Sequence, residues 1–250
     1  MMELLQEENQ KLLVTSVRDE QLWKIQERLK MNVSMPLETM VLERKGAIDG
    51  YFRISTKEKE VHEFRISTAV VDEASFRTYD IAMRALYYFR DEAKKHSEHI
   101  LELPGNVCSN LGILALDYGG TLSHGWKYQV RIPDVCRLLN KTRPVFSRRL
   151  KGTMFEGLTR EIIINTYRTC YKLTFQSGEL MPIEDIGMQK TDSYMEIRVP
   201  PQGFVRLILG EFTIDELKNQ NVDFIVRRGY RTLLETLFPK KESYIHHYFC

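Results

Sequence analysis

Glycine is missing from the whole of residues 67–104, the cysteines form no C-x-x-C pair, and no apolar run is long. Each absence removes a class of protein. Cys108, Cys136, Cys170 and Cys250 are widely scattered, which argues against a disulfide framework or a zinc cluster. The first three read as small buried hydrophobes. A helical membrane span needs about 18 consecutive apolar residues, so no membrane insertion is expected. The opening MMELLQEENQKLL has neither the basic start nor the apolar stretch of a secretory signal, leaving the cytoplasm as the default compartment. A formal charge of +2 is too small to imply a polyanionic partner, and no nucleic acid is expected. No G-x-S-x-G occurs, so a hydrolase elbow is excluded. His96 and His99 have a metal-like spacing but no carboxylate or cysteine companions, which makes them a solvated helix end.

What is present is ordinary globular material: 250 residues, 43% apolar and 28% charged, enough for one large domain or two small ones. Residues 17–31 predict a helix capped by Asp19, with Leu22, Trp23, Ile25 and Leu29 as its apolar stripe. Met40-Val41-Leu42 leads through Lys45 and Gly46 into Tyr51-Phe52-Arg53-Ile54, a hairpin signal because glycine supplies positive φ. Val61 to Val71 is a third strand. Residues 73–96 predict the longest helix, with Phe76, Ile81, Ala85, Leu86 and Phe89 near helical spacing. A strand at 99–103, a helix at 107–116 and a strand at Trp126–Val130 follow. Hairpins first and helix crossovers later imply a mixed sheet.

A second module opens at Pro133, well placed for a first helical turn. Its helix turns Val135, Leu138, Leu139, Val145, Phe146 and Leu150 inward, and Pro144 should kink or split it. Ile162, Ile164 and Thr166 then alternate with Ile163, Asn165 and Tyr167. Tyr171, Leu173 and Phe175 alternate with Lys172, Thr174 and Gln176 on the return strand. The turn between them carries no obvious mark. Further on come a polar loop from Ile183 to Met195 and a strand near Ile197. Helices follow after Pro200-Pro201, at Thr213 (a capping box with Glu216) and over Arg228–Leu237. The fold class is α+β, with a mixed-sheet domain over 1–130 and a second α+β domain over 131–250.

The order over residues 17–131 is similar to the core of the GNAT acetyltransferases. RIPDVCRLL, LTFQSGEL, FVRLILGEFTIDEL and ETLFPKKESYI resemble the C-terminal half of two-part GNAT enzymes of the Eis-related kind. In that family a degenerate GNAT-like domain precedes a sterol-carrier-protein-like domain, and the resemblance implies those identities for 1–130 and 131–250. An active GNAT domain cradles the acetyl-CoA diphosphate on a turn Q/R-x-x-G-x-G/A, where glycine admits the phosphates to helix N–H groups. Here the corresponding junction reads AVVDEASFRTYDIA, and Asp72 and Glu73 are expected to face the phosphates with like charge. No acetyl-CoA residue of the family carries over, so no cofactor is expected in this chain. Acetyl-CoA would belong to a catalytic GNAT domain, preceding or separate, as partner. The resemblance also implies one catalytic role: the terminal carboxylate of Cys250 as base toward the acceptor amine.

Other readings stand beside this one. Arg137, Lys141, Arg143, Arg148, Arg149 and Lys151 crowd one helix, and a solvated outer face is the ordinary explanation. Tyr167, Tyr171, Phe175, Phe204, Leu207, Ile208 and Leu209 could line a site for an apolar ligand, making the chain a carrier, although ordinary core is the commoner use of such residues. A second copy of the chain stays open as a partner.

Overall fold

Alternation and turn chemistry decide the first sheet. The computed structural model describes residues 1–29, 31–32, 35–61, 64–95, 100–103, 107–123, 129–189 and 196–245. His96, His99 and Cys250 lie outside them, as does most of Trp126–Val130; Gln129 and Val130 are in no strand. The chain divides into two compact units, Met1–Lys127 with Glu242–Cys250, and Tyr128–Lys241. Residues 242–245 thus group with the first unit. Backbone bonds explain it: Leu13 N–H donates to the Glu242 carbonyl (2.7 Å) and Tyr244 N–H to that of Val14 (2.9 Å).

The first unit opens with α1 (Met2–Asn9) and α2 (Glu20–Leu29), then a short ladder of β1 (Met31–Asn32) and β2 (Met35–Pro36). Its main sheet is β3 (Glu38–Arg44), β4 (Ala47–Val61), β5 (Phe64–Phe76) and β6 (Ile100–Glu102), in that spatial order. The first three pair antiparallel. β6 joins β5 in parallel after the crossover helix α3 (Tyr79–Lys95), and α4 (Asn110–Asp117) follows. Lys45 and Gly46, at φ 53° and 80°, make the two-residue turn between β3 and β4, the geometry whose twist matches paired strands. Gly50 is needed for another reason: a Cβ there would sit 2.6 Å from the Phe76 ring and 2.9 Å from Ile81. One face of the sheet carries Phe52 and Val71 against Ile81, Ala82, Ala85 and Phe89 of α3 and against Leu111 and Leu114 of α4.

Two expectations for this unit are corrected. The longest helix begins at Tyr79, not residue 73, because β4 keeps pairing with β5 as far as Phe76. The apolar stripe of α2 is not its buried face. Asp19 does cap the helix, accepting from Leu22 N–H (2.7 Å), but Ile25 and Leu29 are exposed and only Trp23 is buried.

The second unit consists of α5 (Val135–Leu150), β7 (Arg160–Asn165), β8 (Cys170–Gln176), β9 (Glu179–Leu180), β10 (Glu184–Asp185), β11 (Ile197–Arg198), α6 (Pro201–Ile208), α7 (Ile214–Gln220), β12 (Ile225–Val226) and α8 (Arg231–Leu237). Its sheet runs β10-β8-β7-β11-β12, with β9 on β8. Pairing of Ile162 with Leu173 and Ile164 with Tyr171 puts these four on one face, under Leu139, Phe146 and Leu150 of α5. Leu138 and Val145, expected inward, are half-buried at the edge of that contact.

Pro144 does not split α5, which runs unbroken. Proline removes the N–H that would bond the Asn140 carbonyl, and the Arg143 guanidinium Nε supplies a replacement donor (3.4 Å). The β7–β8 turn is marked after all, by Asn165, whose side chain accepts from Tyr167 N–H (2.8 Å) while Tyr167 takes a φ of 63°. Cys170 is buried, while Cys108 and Cys136 are half-buried.

Ile164→Ala should destabilise by about 2–5 kcal/mol, joining lost transfer energy to a cavity. Arg137→Ala and Lys141→Ala, on the exposed side of α5, should each change stability by at most about 0.5 kcal/mol in the same urea unfolding experiment. Glu216 offers a second check. It caps α7 through Thr213 and accepts from Lys240 Nζ (2.7 Å), and these bonds, the Lys240 one foremost, pull its pKa from 4.5 to about 2. A carboxylate with a lowered folded pKa contributes most above its unfolded value and loses that contribution as pH falls through the folded one. Titration of Glu216 by NMR should therefore show an acidic midpoint that moves back toward 4.5 in Lys240→Ala.

Candidate functional site

The most unusual chemistry of the first unit lies on the second face of β4 and β5. Along β4, Tyr51, Arg53 and Ser55 point to one side and Phe52 and Ile54 to the other. On β5, Arg53 faces Glu73 but Ile54 faces Val71, leaving Asp72 as an extra residue. This is a β-bulge, and its effect is to turn two consecutive carboxylates toward the same side. Ser55 Oγ donates to Asp72 Oδ2 (2.6 Å), and Glu73 meets Tyr51 and Arg53. The segment before α2 completes the cluster with Arg18.

Glu73 is held from three directions. Its Oε1 accepts from Arg18 Nη2 (2.5 Å) and from the Tyr51 hydroxyl, and its Oε2 lies 3.7 Å from Arg53 Nη1. Arg53 also bonds Glu27 of α2, while Arg18 Nη1 donates to Gln26 Oε1 (2.9 Å). The Trp23 ring receives both guanidiniums, with Arg18 Cζ 3.9 Å and Arg53 Cζ 4.6 Å from its centroid. Arg53 is fully buried and the Arg18 and Glu73 side chains are 2% exposed. Burial, then the Glu73 charge, pushes the Tyr51 hydroxyl well above its ordinary value, so it stays a neutral donor. A carboxylate held in this way ties α2, the segment before it and the sheet together.

This overturns one expectation. Asp72 and Glu73 do not face the start of α3; the bulge buries them in the sheet. The strand-to-helix junction is instead Arg77-Thr78, followed by Tyr79 and Asp80. Arg77 is paired with Glu7 (2.9 Å) and reaches Glu3 (3.7 Å), and Asp80 places a carboxylate in the first turn of α3. A helix N-terminus attracts anions, and here side-chain carboxylates meet that demand. The residues at this junction do not fit a diphosphate.

The other sequence candidates fall in different places. The terminal carboxylate of Cys250 is outside the described residues, though the backbone up to Tyr244 is tied to residues 13–15. Tyr171, Phe175, Phe204 and Leu207 belong to the buried cluster of the second unit, where Tyr171 stacks on Phe204 at 5.8 Å and Phe204 meets Phe238 at 6.0 Å. Ile208 packs on its margin and Leu209 is half-buried. Tyr167 is 37% exposed, its hydroxyl donating to the Asp223 carbonyl (2.6 Å). These rings are spent largely on one another. Sequence reading missed the Arg18–Glu73–Arg53 cluster, because it ended the strand at Val71 and began the helix at residue 73, which left Asp72 and Glu73 at a junction rather than in the sheet.

No family model matches the sequence, and no curated protein matches it either. The fold is similar to that of a GCN5-related N-acetyltransferase from Anabaena variabilis, with a TM-score of 0.61 and 14% identity over 97% of this chain. This chain spans 58% of the length of that structure. A ribosomal-protein-alanine N-acetyltransferase from Brucella melitensis is a weaker match, with a TM-score of 0.38 and 19% identity over 52% of this chain and 88% of its own; agreement at that level carries no argument. The chain has a GNAT-like α+β fold. At such low identity, the likeness speaks to the fold and not to a reaction.

Glu73→Gln keeps the size of the side chain but leaves Arg18 and Arg53 facing an uncharged amide. Breaking a buried pair in this way should cost about 3–5 kcal/mol. Asp80→Asn, at the exposed helix start, should change stability by at most about 0.5 kcal/mol. Chemical denaturation of the two variants beside the parent makes the comparison, and equal small losses would mean that the cluster does not hold the unit together.

Proposed function

We propose that this chain is the non-catalytic C-terminal portion of a GNAT-related acetyltransferase. Its partner is an acetyl-CoA-dependent N-acetyltransferase domain, preceding it or on a separate chain. The observation that carries this reading is the strand-to-helix junction of the GNAT-like unit. Where an active domain presents glycine-bordered N–H groups to a diphosphate, this one presents Arg77, Thr78, Tyr79 and Asp80. Coverage of 58% of an acetyltransferase chain, against 97% of this one, supports it. On this reading the first unit is a degenerate GNAT-like domain and the second is sterol-carrier-protein-like. On the same reading the terminal carboxylate of Cys250 is the base lent to the partner's acceptor amine. The cytoplasm, where acetyl-CoA is made and used, is the compartment proposed.

Calorimetric titration of the chain alone with acetyl-CoA tests the central claim. No binding is expected at micromolar concentrations, on the order of the affinity a working coenzyme site needs. Tight binding competed by CoA would return this chain to the catalytic class.

A further inference from the structure

Helix α5 carries one line of charge that the fold does not use, beside Arg143 and Arg149, which bond the carbonyls of Asn140 and Leu237. Arg137, Lys141, Arg148 and Lys151 are exposed and recur at the spacing of one helical line, with exposed Pro144 between them. Elsewhere exposed cations are of both kinds: Arg77 pairs with Glu7, Lys95 with Glu92, Arg231 with Asp215 and Lys240 with Glu216, while among the described residues Arg28, Lys45, Arg84 and Arg228 stand without a carboxylate, but singly rather than in a line. Among the described residues, no carboxylate pairs with any cation of the α5 line. Residues 135–151 hold six cations and no carboxylate, so the rest of the chain is acidic, with 30 cations against 34 carboxylates. Such bunching is unfavourable by itself, since like charges one turn apart repel.

We propose that this face of α5 docks a partner protein through an acidic helix whose carboxylates follow the same line. Charge complementarity along about 20 Å, at 1.5 Å per residue over 137–151, is the basis. The composition fits a protein partner. Arginine, two of the four cations, and methionine are favoured in protein interfaces while lysine is not, and Met154, close beyond the line, is left 83% exposed. The guanidinium fork suits bidentate pairing with carboxylates. A single nucleic-acid strand would want aromatic rings to stack its bases, whereas the line's exposed uncharged neighbours are Pro144 and Met154. Insertion into a membrane needs the helix's apolar face, and Leu139, Phe146 and Leu150 already commit that face to the core. Two copies meeting face to face about a twofold axis would set α5 against α5 and oppose like charges.

The test uses the full chain and a fluorescent helical peptide carrying glutamates at i, i+4, i+7 and i+11, read by anisotropy. The parent should bind, and more weakly as salt is raised from 50 to about 300 mM. Losing three exposed pairs in the triple variant Arg137→Ser, Lys141→Ser, Arg148→Ser should weaken binding about tenfold. The single variant Arg148→Gln should weaken it about twofold to threefold, which keeps the test valid if the triple variant fails to fold. Arg90→Ser, at a paired arginine of α3, should bind like the parent. Binding unchanged in the α5 variants, or no binding by the parent at low salt, overturns the proposal. Tighter binding of a 20-nucleotide oligonucleotide or of phosphatidylserine vesicles than of the peptide also overturns it, assigning the face to phosphates instead.

Discussion

The contact on which the first unit turns is Glu73 between Arg18 and Arg53. Three charges are withdrawn from water there, a step that costs several kcal/mol per ion before any attraction returns it. The geometry gathers them together: two guanidiniums and the Tyr51 hydroxyl on one carboxylate, Gln26 and Glu27 on outer guanidinium nitrogens, and an indole face beneath both. Such a network adds little net stability over an apolar core of the same size. What it does is penalise every other register of β4 on β5, since a slip by one residue would leave a charge buried and alone.

That constraint also bears on function. The bulge at Asp72 turns β5's carboxylates inward, toward α2, and the strand then continues to Phe76 before α3 begins. The start of α3 is therefore built from Arg77 and Asp80, already surrounded by side-chain charge. The GNAT-like sheet and crossover helix are joined by a short junction in which Arg77, its partner Glu7 and Asp80 set side-chain charge at the start of α3. The second unit is held by different physics. Leu139, Phe146, Ile162, Ile164, Leu173 and Phe204 form an apolar core in which no ion pair is needed.

Much of this was legible in the residues. The two-residue turn at Lys45-Gly46, the Asp19 cap, the Thr213–Glu216 capping box and the inward set of Ile162, Ile164, Leu173 and Phe175 are local signals, each read within one or two turns of chain. So was the missing glycine between the third long strand and the long helix. What misled was equally specific. Leu22, Trp23, Ile25 and Leu29 suggested an apolar face for α2; Trp23 is buried as expected, but Ile25 and Leu29 are exposed, and Gln26 and Glu27 reach the buried arginines beside Trp23.

The sequence by itself determined the element types, the α+β class and the absence of a glycine turn, because periodicity and backbone permissiveness are properties of neighbouring residues. Only the tertiary structure decided where Asp72 and Glu73 point and that residues 242–244 return to residues 13–15. Each of these depends on a partner distant in sequence: Arg18 for Glu73, the β4 register for the bulge, Glu242 and Tyr244 for the tail. A long-range charge pair leaves no period in the chain, and so nothing local announces it.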